Sequence, residues 1–322
     1  ILAVNGSETI GTVVAFLFLV QLFIQPIQTF GEAVNEAQTA VAGWRRVLDV
    51  LDIAPDVADP GPDGLDLPHV PLGVEFESVG FRYPKSGETA EDASGTVALR
   101  NVDVTIEPET RVAVVGETGS GKTTFAKLLT RLMDPSEGHV KVGGIDVSKI
   151  RFRSLRDRVV MVPQEGTLFR GTIADNVLMG RPEASRKELV DTFDRLGLDD
   201  WLNELAAGLD TQVGERGSAL SVGERQLVTL VRAAISDPEL LVLDEATSAV
   251  DPATEVRISR ALNQLTEGRT VVTIAHRLST AEAADRVLVF DEAKLIQDGP
   301  HSELVEEDGV YSTLYASWQR GT

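Results

Sequence analysis

Two different hydrophobic patterns divide the chain. From Thr9 to Gly31 there are 23 residues without a charge, including the run GTVVAFLFLVQLFIQPIQTF. A helix from Gly11 to Phe30 is about 30 Å long, enough to cross a hydrocarbon core. Gln21, Gln25 and Gln28 interrupt the run. A buried helix of a soluble domain accounts for them too, but the uncharged span favours a membrane helix that packs against others or lines a polar path. Val34, Ala37, Val41, Trp44, Val47, Leu48 and Leu51 then recur at helical spacing, so the helix is expected to continue into the cytosol. Glu8 precedes the span and Arg45 and Arg46 follow it, which orients the later end towards the cytoplasm.

The stretch APDVADPGPDGLDLPHVP carries prolines at 55, 60, 62, 68 and 71. Proline fixes φ and removes a donor, so residues 55–72 are expected to link two domains. After Pro71 short strands alternate with helices, which implies a parallel sheet. VEFESVGFRY and RVAVVG are strands and KTTFAKLLTRL a helix; RVVMVPQ, LLVLDE, TVVTIAH and RVLVFDE are further short apolar strands ending in polar residues. Ligands in such sheets gather at the carboxyl ends of the strands. The segment from about Gly171 to Ile235 is mostly helical and is expected to be an insert, and Lys85 to Thr96 a polar surface loop.

Composition narrows the classes. Hydrophobic content of 43% and charged content of 25% suit a globular protein with a real core. The formal charge is −20, only seven of the 30 basic residues are lysine, and no basic stripe occurs. A nucleic-acid partner is therefore not expected. The absence of cysteine excludes disulfides and thiolate metal sites. The chain starts at Ile1 without the marks of a secretory signal, and one spanning helix cannot enclose a pathway, so a piece of something longer is expected.

Two stretches carry phosphate chemistry. Gly116-Glu117-Thr118-Gly119-Ser120-Gly121-Lys122-Thr123 follows a strand and opens a helix, which is the P-loop pattern in its confirming context; Thr124 continues it. The glycines let the backbone turn tightly, and freed N–H groups at the helix start hold an anion. Lys122 is expected to reach the β- and γ-phosphates, and the Thr123 hydroxyl to ligate Mg2+. LLVLD delivers Asp244 to the same end, where it can hold Mg2+ through water; Glu245 follows and can accept a proton from an attacking water. A third stretch, LSVGERQ, places Glu224 three residues after Ser221, the spacing of a capping box.

Together these motifs resemble those of an ATP-binding cassette protein, from about Val74 to the C-terminus. The resemblance implies a P-loop NTPase nucleotide domain of the α/β class over 73–322, with a mixed sheet core, an antiparallel β subdomain and a helical subdomain, preceded by a single long transmembrane helix within 1–54. It implies roles for further residues. Tyr83 in FRYP matches the aromatic that stacks on adenine, and Gln164 in VVMVPQ the glutamine that senses Mg2+ and water. LSVGERQ matches the signature usually written LSGGQ-x-Q, so Ser221 and Gly223 would contact a partner's ATP. Ser248-Ala-Val-Asp251 matches the loop that crosses the dimer interface, and His276 in TIAHRLST the switch histidine. Thr211-Gln-Val-Gly-Glu-Arg-Gly217 and LFRGTIADNV are typical of exporters. The implied protein is an ATP-hydrolysing half-transporter of the multidrug or lipid type, catalytic through Glu245, His276 and Gln164, lying in the plasma membrane with its nucleotide domain cytoplasmic. It would pair with a second half-transporter, preferably a different one, because Glu224 replaces the usual glutamine. A soluble cassette ATPase and a non-hydrolysing partner subunit are the alternatives; retention of Glu245 and His276 argues against the latter.

Overall fold

The computed structural model describes residues 10–84, 95–164, 166–244, 251–275 and 277–321. Glu245, His276, Ser248 and nearly all of the Lys85–Thr96 stretch lie outside the described residues. The chain divides into two units, Ile1–Asp56 and Val57–Thr322.

The first unit is one helix, α1 (Ile10–Leu51), of 42 residues. At 1.5 Å per residue it is about 63 Å long. It has no buried residue and is long and apolar enough to cross a membrane. The expected span and its helical continuation are thus one element. Pro26 sits inside it and removes the N–H that would bond the Leu22 carbonyl.

The second unit runs, in chain order, β1 (Val74–Tyr83), β2 (Thr96–Ile106), β3 (Arg111–Gly116), α2 (Lys122–Leu129), β4 (Glu137–Val142), β5 (Ile145–Asp146), α3 (Phe152–Arg158), β6 (Val159–Val162), α4 (Ile173–Leu178), α5 (Arg186–Arg195), α6 (Asp199–Glu204), α7 (Val222–Ile235), β7 (Leu240–Asp244), α8 (Pro252–Thr266), β8 (Thr270–Ile274), α9 (Leu278–Glu282), β9 (Arg286–Asp291), β10 (Lys294–Gly299), α10 (His301–Leu304) and α11 (Val310–Gly321). Two sheets form: β2-β1-β4-β5 and β10-β9-β3-β8-β7-β6. The first is antiparallel. In the second, five strands run parallel and only β10 is antiparallel.

The central strands are continuous apolar runs because helices and the other sheet cover both faces. In β7, Leu240 and Val242 face one core while Leu241 and Leu243 face another, as the two-residue period requires. The first core lies between the sheets around α2, where Phe125 stacks on Phe76 at 4.3 Å and tilts against Phe290 at 5.3 Å. The second joins α4–α8 to the opposite face of β6 and β7.

The helix KTTFAKLLTRL is shorter than its apolar pattern suggests. Leu132 N–H donates to the Lys127 carbonyl and Arg131 N–H to that of Leu128, a Schellman ending with Arg131 at φ 49°. Strands β2, β4 and β10 escape an apolar-run criterion because each exposes every second or third residue. Of the proline-rich stretch, residues 57–72 belong to the second unit, with Leu67 and Leu72 buried in its core.

Candidate functional site

Parallel pairing sets the site. β3, β8, β7 and β6 are neighbours and end at Gly116, Ile274, Asp244 and Val162. The P-loop therefore leaves the same edge of the sheet as the chain leading to His276, as Asp244, and as Pro163-Gln164.

Within the P-loop three glycines have positive φ: Gly116 at 147°, Gly119 at 86° and Gly121 at 111°. A Cβ on Gly116 would lie 2.1 Å from the Phe290 carbonyl oxygen, and one on Gly121 would lie 2.6 Å from that of Ala98. At Gly119 a Cβ would meet nothing within 4 Å, so its space is open while its backbone conformation is not. The turn is thus fixed by close backbone approach on both flanks and left open at its tip.

Lys122 is buried, and its Nζ donates to the carbonyls of Gly116 and Glu117, both at 2.7 Å. The ammonium bridges the loop that it would otherwise leave to aim at a phosphate. Burial lowers its pKa from the ordinary value, with the Asp244 carboxylate acting in the opposite direction. Lys122 and Asp244 are therefore within electrostatic reach of each other. Ser120 is 4% exposed and its Oγ has no hydrogen-bond partner. A buried hydroxyl without a partner is costly, and an anion in the cradle would supply the acceptor. The residues present thus fit a phosphate: an open turn tip, a buried ammonium and an unmatched donor.

Thr123 is exposed beside this cradle, as are Glu117 and Thr118, whereas Thr124 is buried. Thr124 Oγ1 lies 3.2 Å from the Tyr83 hydroxyl, a contact that ties the aromatic on β1 to the first turn of α2. Tyr83 is 37% exposed and edge-on to Phe81 at 5.0 Å, leaving ring surface open beside the P-loop helix. Gln164 is exposed just beyond β6.

The signature stands apart. Among the described hydrogen bonds, none joins residues 221–226 to the P-loop. Ser221 caps α7: its Oγ accepts from Glu224 N–H at 3.2 Å, and Glu224 Oε2 accepts from Ser221 N–H at 2.8 Å. The capping box expected from S-x-x-E is formed, and the carboxylate folds back onto the helix. Val222 takes the first helical position half exposed, and Gly223 is buried. A contact not apparent from the spacing is the Trp201 indole, whose Nε1 donates to Glu224 Oε1 at 3.3 Å. Burial works to raise the Glu224 pKa, but the hydrogen bonds from Ser221 and Trp201 outweigh it and hold the carboxyl below its ordinary value. The only sequence signal for this contact was a tryptophan in the helical insert, 23 residues upstream.

Comparison with known proteins agrees with this geometry. The ABC transporter family matches residues 99–248. A fatty acid ABC transporter ATP-binding/permease protein of Mycobacterium tuberculosis (strain CDC 1551 / Oshkosh) is 40% identical over 307 residues, 95% of this chain and 47% of that protein. An ATP-dependent lipid A-core flippase of Syntrophus aciditrophicus is 34% identical over 312 residues, 97% of this chain and 50% of that protein. The structure of a bacterial Atm1-family ABC exporter with ATP bound superposes with a TM-score of 0.79 at 34% identity, covering 96% of this chain and 52% of that one. The chain spans about half the length of the relatives it matches. Its nucleotide motifs, its two-sheet core and its relatives lead to one conclusion: the chain carries an ABC transporter domain at residues 99–248 and is similar to ABC exporter proteins over nearly its whole length.

Proposed function

We propose that this chain is the ATP-hydrolysing part of an ABC exporter half-transporter, coupling hydrolysis to export of a substrate across the plasma membrane. The single observation that carries the reading is the cradle at Gly116–Thr124, with buried Lys122, the unmatched Ser120 hydroxyl and Asp244 at the same edge of the sheet, at the end of β7 two strands away. Residues 1–54 form the last membrane helix and its cytosolic extension, 55–72 the connecting segment and 73–322 the nucleotide domain, with its helical subdomain at about 171–235. The nucleotide domain lies on the cytoplasmic side.

In this reading the backbone N–H groups of the P-loop and Lys122 bind the phosphates of ATP, and Tyr83 offers a ring face to adenine. Thr123 and Asp244 would hold Mg2+, with Gln164 beside it; the bound ion supplies neutralisation of charge on the β- and γ-phosphate oxygens. Glu245 accepts the proton of the attacking water, and His276 and Gln164 orient that water. Ser221 and Gly223 act on the ATP of a second half-transporter, whose own signature completes the site described here. We favour a different half-transporter as that partner, because a carboxylate in the signature changes the charge seen by the partner's nucleotide alone. A purified homodimer with full activity would overturn that pairing. Relatives named for fatty acid transport and lipid A-core flipping support a lipid as substrate, and relatives named for β-(1→2)glucan export support a glucan.

The test is Glu245→Gln in the full-length, reconstituted transporter. Steady-state hydrolysis should be lost while ATP still binds; unchanged turnover would refute the catalytic role. Substrate-stimulated ATPase assays with candidate lipids address the cargo, and the lipid reading fails if none stimulates.

A further inference from the structure

We infer that Trp201 is a positioning residue for the signature, holding the Glu224 carboxylate along its own helix so that it does not compete with nucleotide phosphate. The inference rests on the signature role given to LSVGERQ above.

A helix start is a site for one anion. Its first N–H groups have no partner within the helix, and the macrodipole adds to their attraction. In α7 the Glu224 N–H is satisfied by the Ser221 hydroxyl and the Ser221 N–H by Glu224 itself. That leaves the amides of Val222 and Gly223 as the groups a phosphate can use. The obvious competitor for them is the carboxylate two and one residues further on. A glutamine at position 224 would carry no net charge into this competition; a glutamate does.

The structure answers this with a bond at each carboxylate oxygen. Oε2 is held by Ser221 N–H at 2.8 Å, and Oε1 by the Trp201 indole at 3.3 Å. Only the first belongs to the helix. The second comes from α6, and its ring cannot readily move: Trp201 is 2% exposed and tilts against Phe193 with centroids 6.2 Å apart. An indole N–H is a donor only, and once buried it requires an acceptor. Glu224 meets that need, and the packed ring in turn fixes the side chain. The neighbouring Asp251 carboxylate raises the Glu224 pKa, so the local charge does not itself favour ionisation; the donors do. With the indole donor gone, one oxygen is free and the side chain can turn towards the amides it should leave open.

Trp201→Phe keeps the aromatic packing and removes the donor. In the full-length transporter with its partner, it should lower kcat/KM for ATP hydrolysis about fivefold, the worth of one such hydrogen bond. The same substitution placed in a Glu224→Gln background should change kcat/KM less than twofold relative to Glu224→Gln alone, because no charge remains to be held. A Trp201→Phe defect of the same size in both backgrounds would mean that the ring acts only by packing and would overturn the inference. No defect in the wild-type background would overturn it as well. Lys122→Ala separates the two readings: if hydrolysis by the complex does not depend on Lys122 at all, the ATPase assignment falls, and this inference with it.

Discussion

At the residue scale, the P-loop shows how a backbone can exclude side chains on its flanks and admit a ligand at its tip. A methyl at Gly121 meets the Ala98 carbonyl oxygen at 2.6 Å and Leu99 Cδ2 at 2.7 Å, on a backbone with φ 111°. Gly121→Ala should therefore weaken ATP binding at least tenfold, measured by calorimetry, and more than Gly119→Ala, which carries the conformational strain without the clash. Lys122 makes a second prediction. Its folded-state pKa is depressed by burial, so as pH rises the ammonium loses its proton earlier than a free lysine would. A phosphate stabilises the charged form, so ATP affinity should fall as pH rises through that lowered pKa. A titration of the dissociation constant from about pH 7 to about pH 10 checks this; a flat profile in the wild type would contradict it, whereas Lys122→Ala should be flat.

At the element scale, the proline-rich segment is held by its neighbours. Arg158 at the end of α3 donates to the carbonyls of Pro68 and Val70 and forms a two-point pair with Glu239, the residue before β7. Ser154 Oγ accepts from Leu67 N–H at 2.9 Å, and Arg131 donates to the Ala58 carbonyl at 2.7 Å. Arg158→Ala removes four hydrogen bonds from a residue that is 8% exposed. It should cost about 2–3 kcal/mol of stability, since charged donors to satisfied acceptors are lost, and lower the urea midpoint accordingly. The sequence pattern was most legible where periodicity and chemistry coincided. β1, β3 and β7 lie where their apolar runs put them, and the S-x-x-E spacing named the cap of α7. It was least legible where tertiary contacts decide. Prolines signal a stretch that cannot join a ladder, but they do not reveal that Leu67 and Leu72 are buried. Nor could any local spacing bring Trp201 to Glu224, because the bond crosses from one helix of the insert to another.

At the scale of the whole molecule, an apolar helix without buried residues is joined to a strongly acidic chain whose apolar core lies in the second unit. Removal of residues 1–56 should convert a membrane-sedimenting protein into a soluble one that still binds ATP, as centrifugation and nucleotide binding would reveal; a truncated unit that aggregates would argue that the helix supports its fold. The anchoring of the proline-rich segment also sets a mechanical limit. From the end of α1 at Leu51 to the first clamped carbonyl at Ala58 the chain takes seven steps. Fully extended, these reach at most about 25 Å. However the two units move, the end of α1 and Ala58 can never part by more than that length, as the length of a cable bounds the distance between the things it joins.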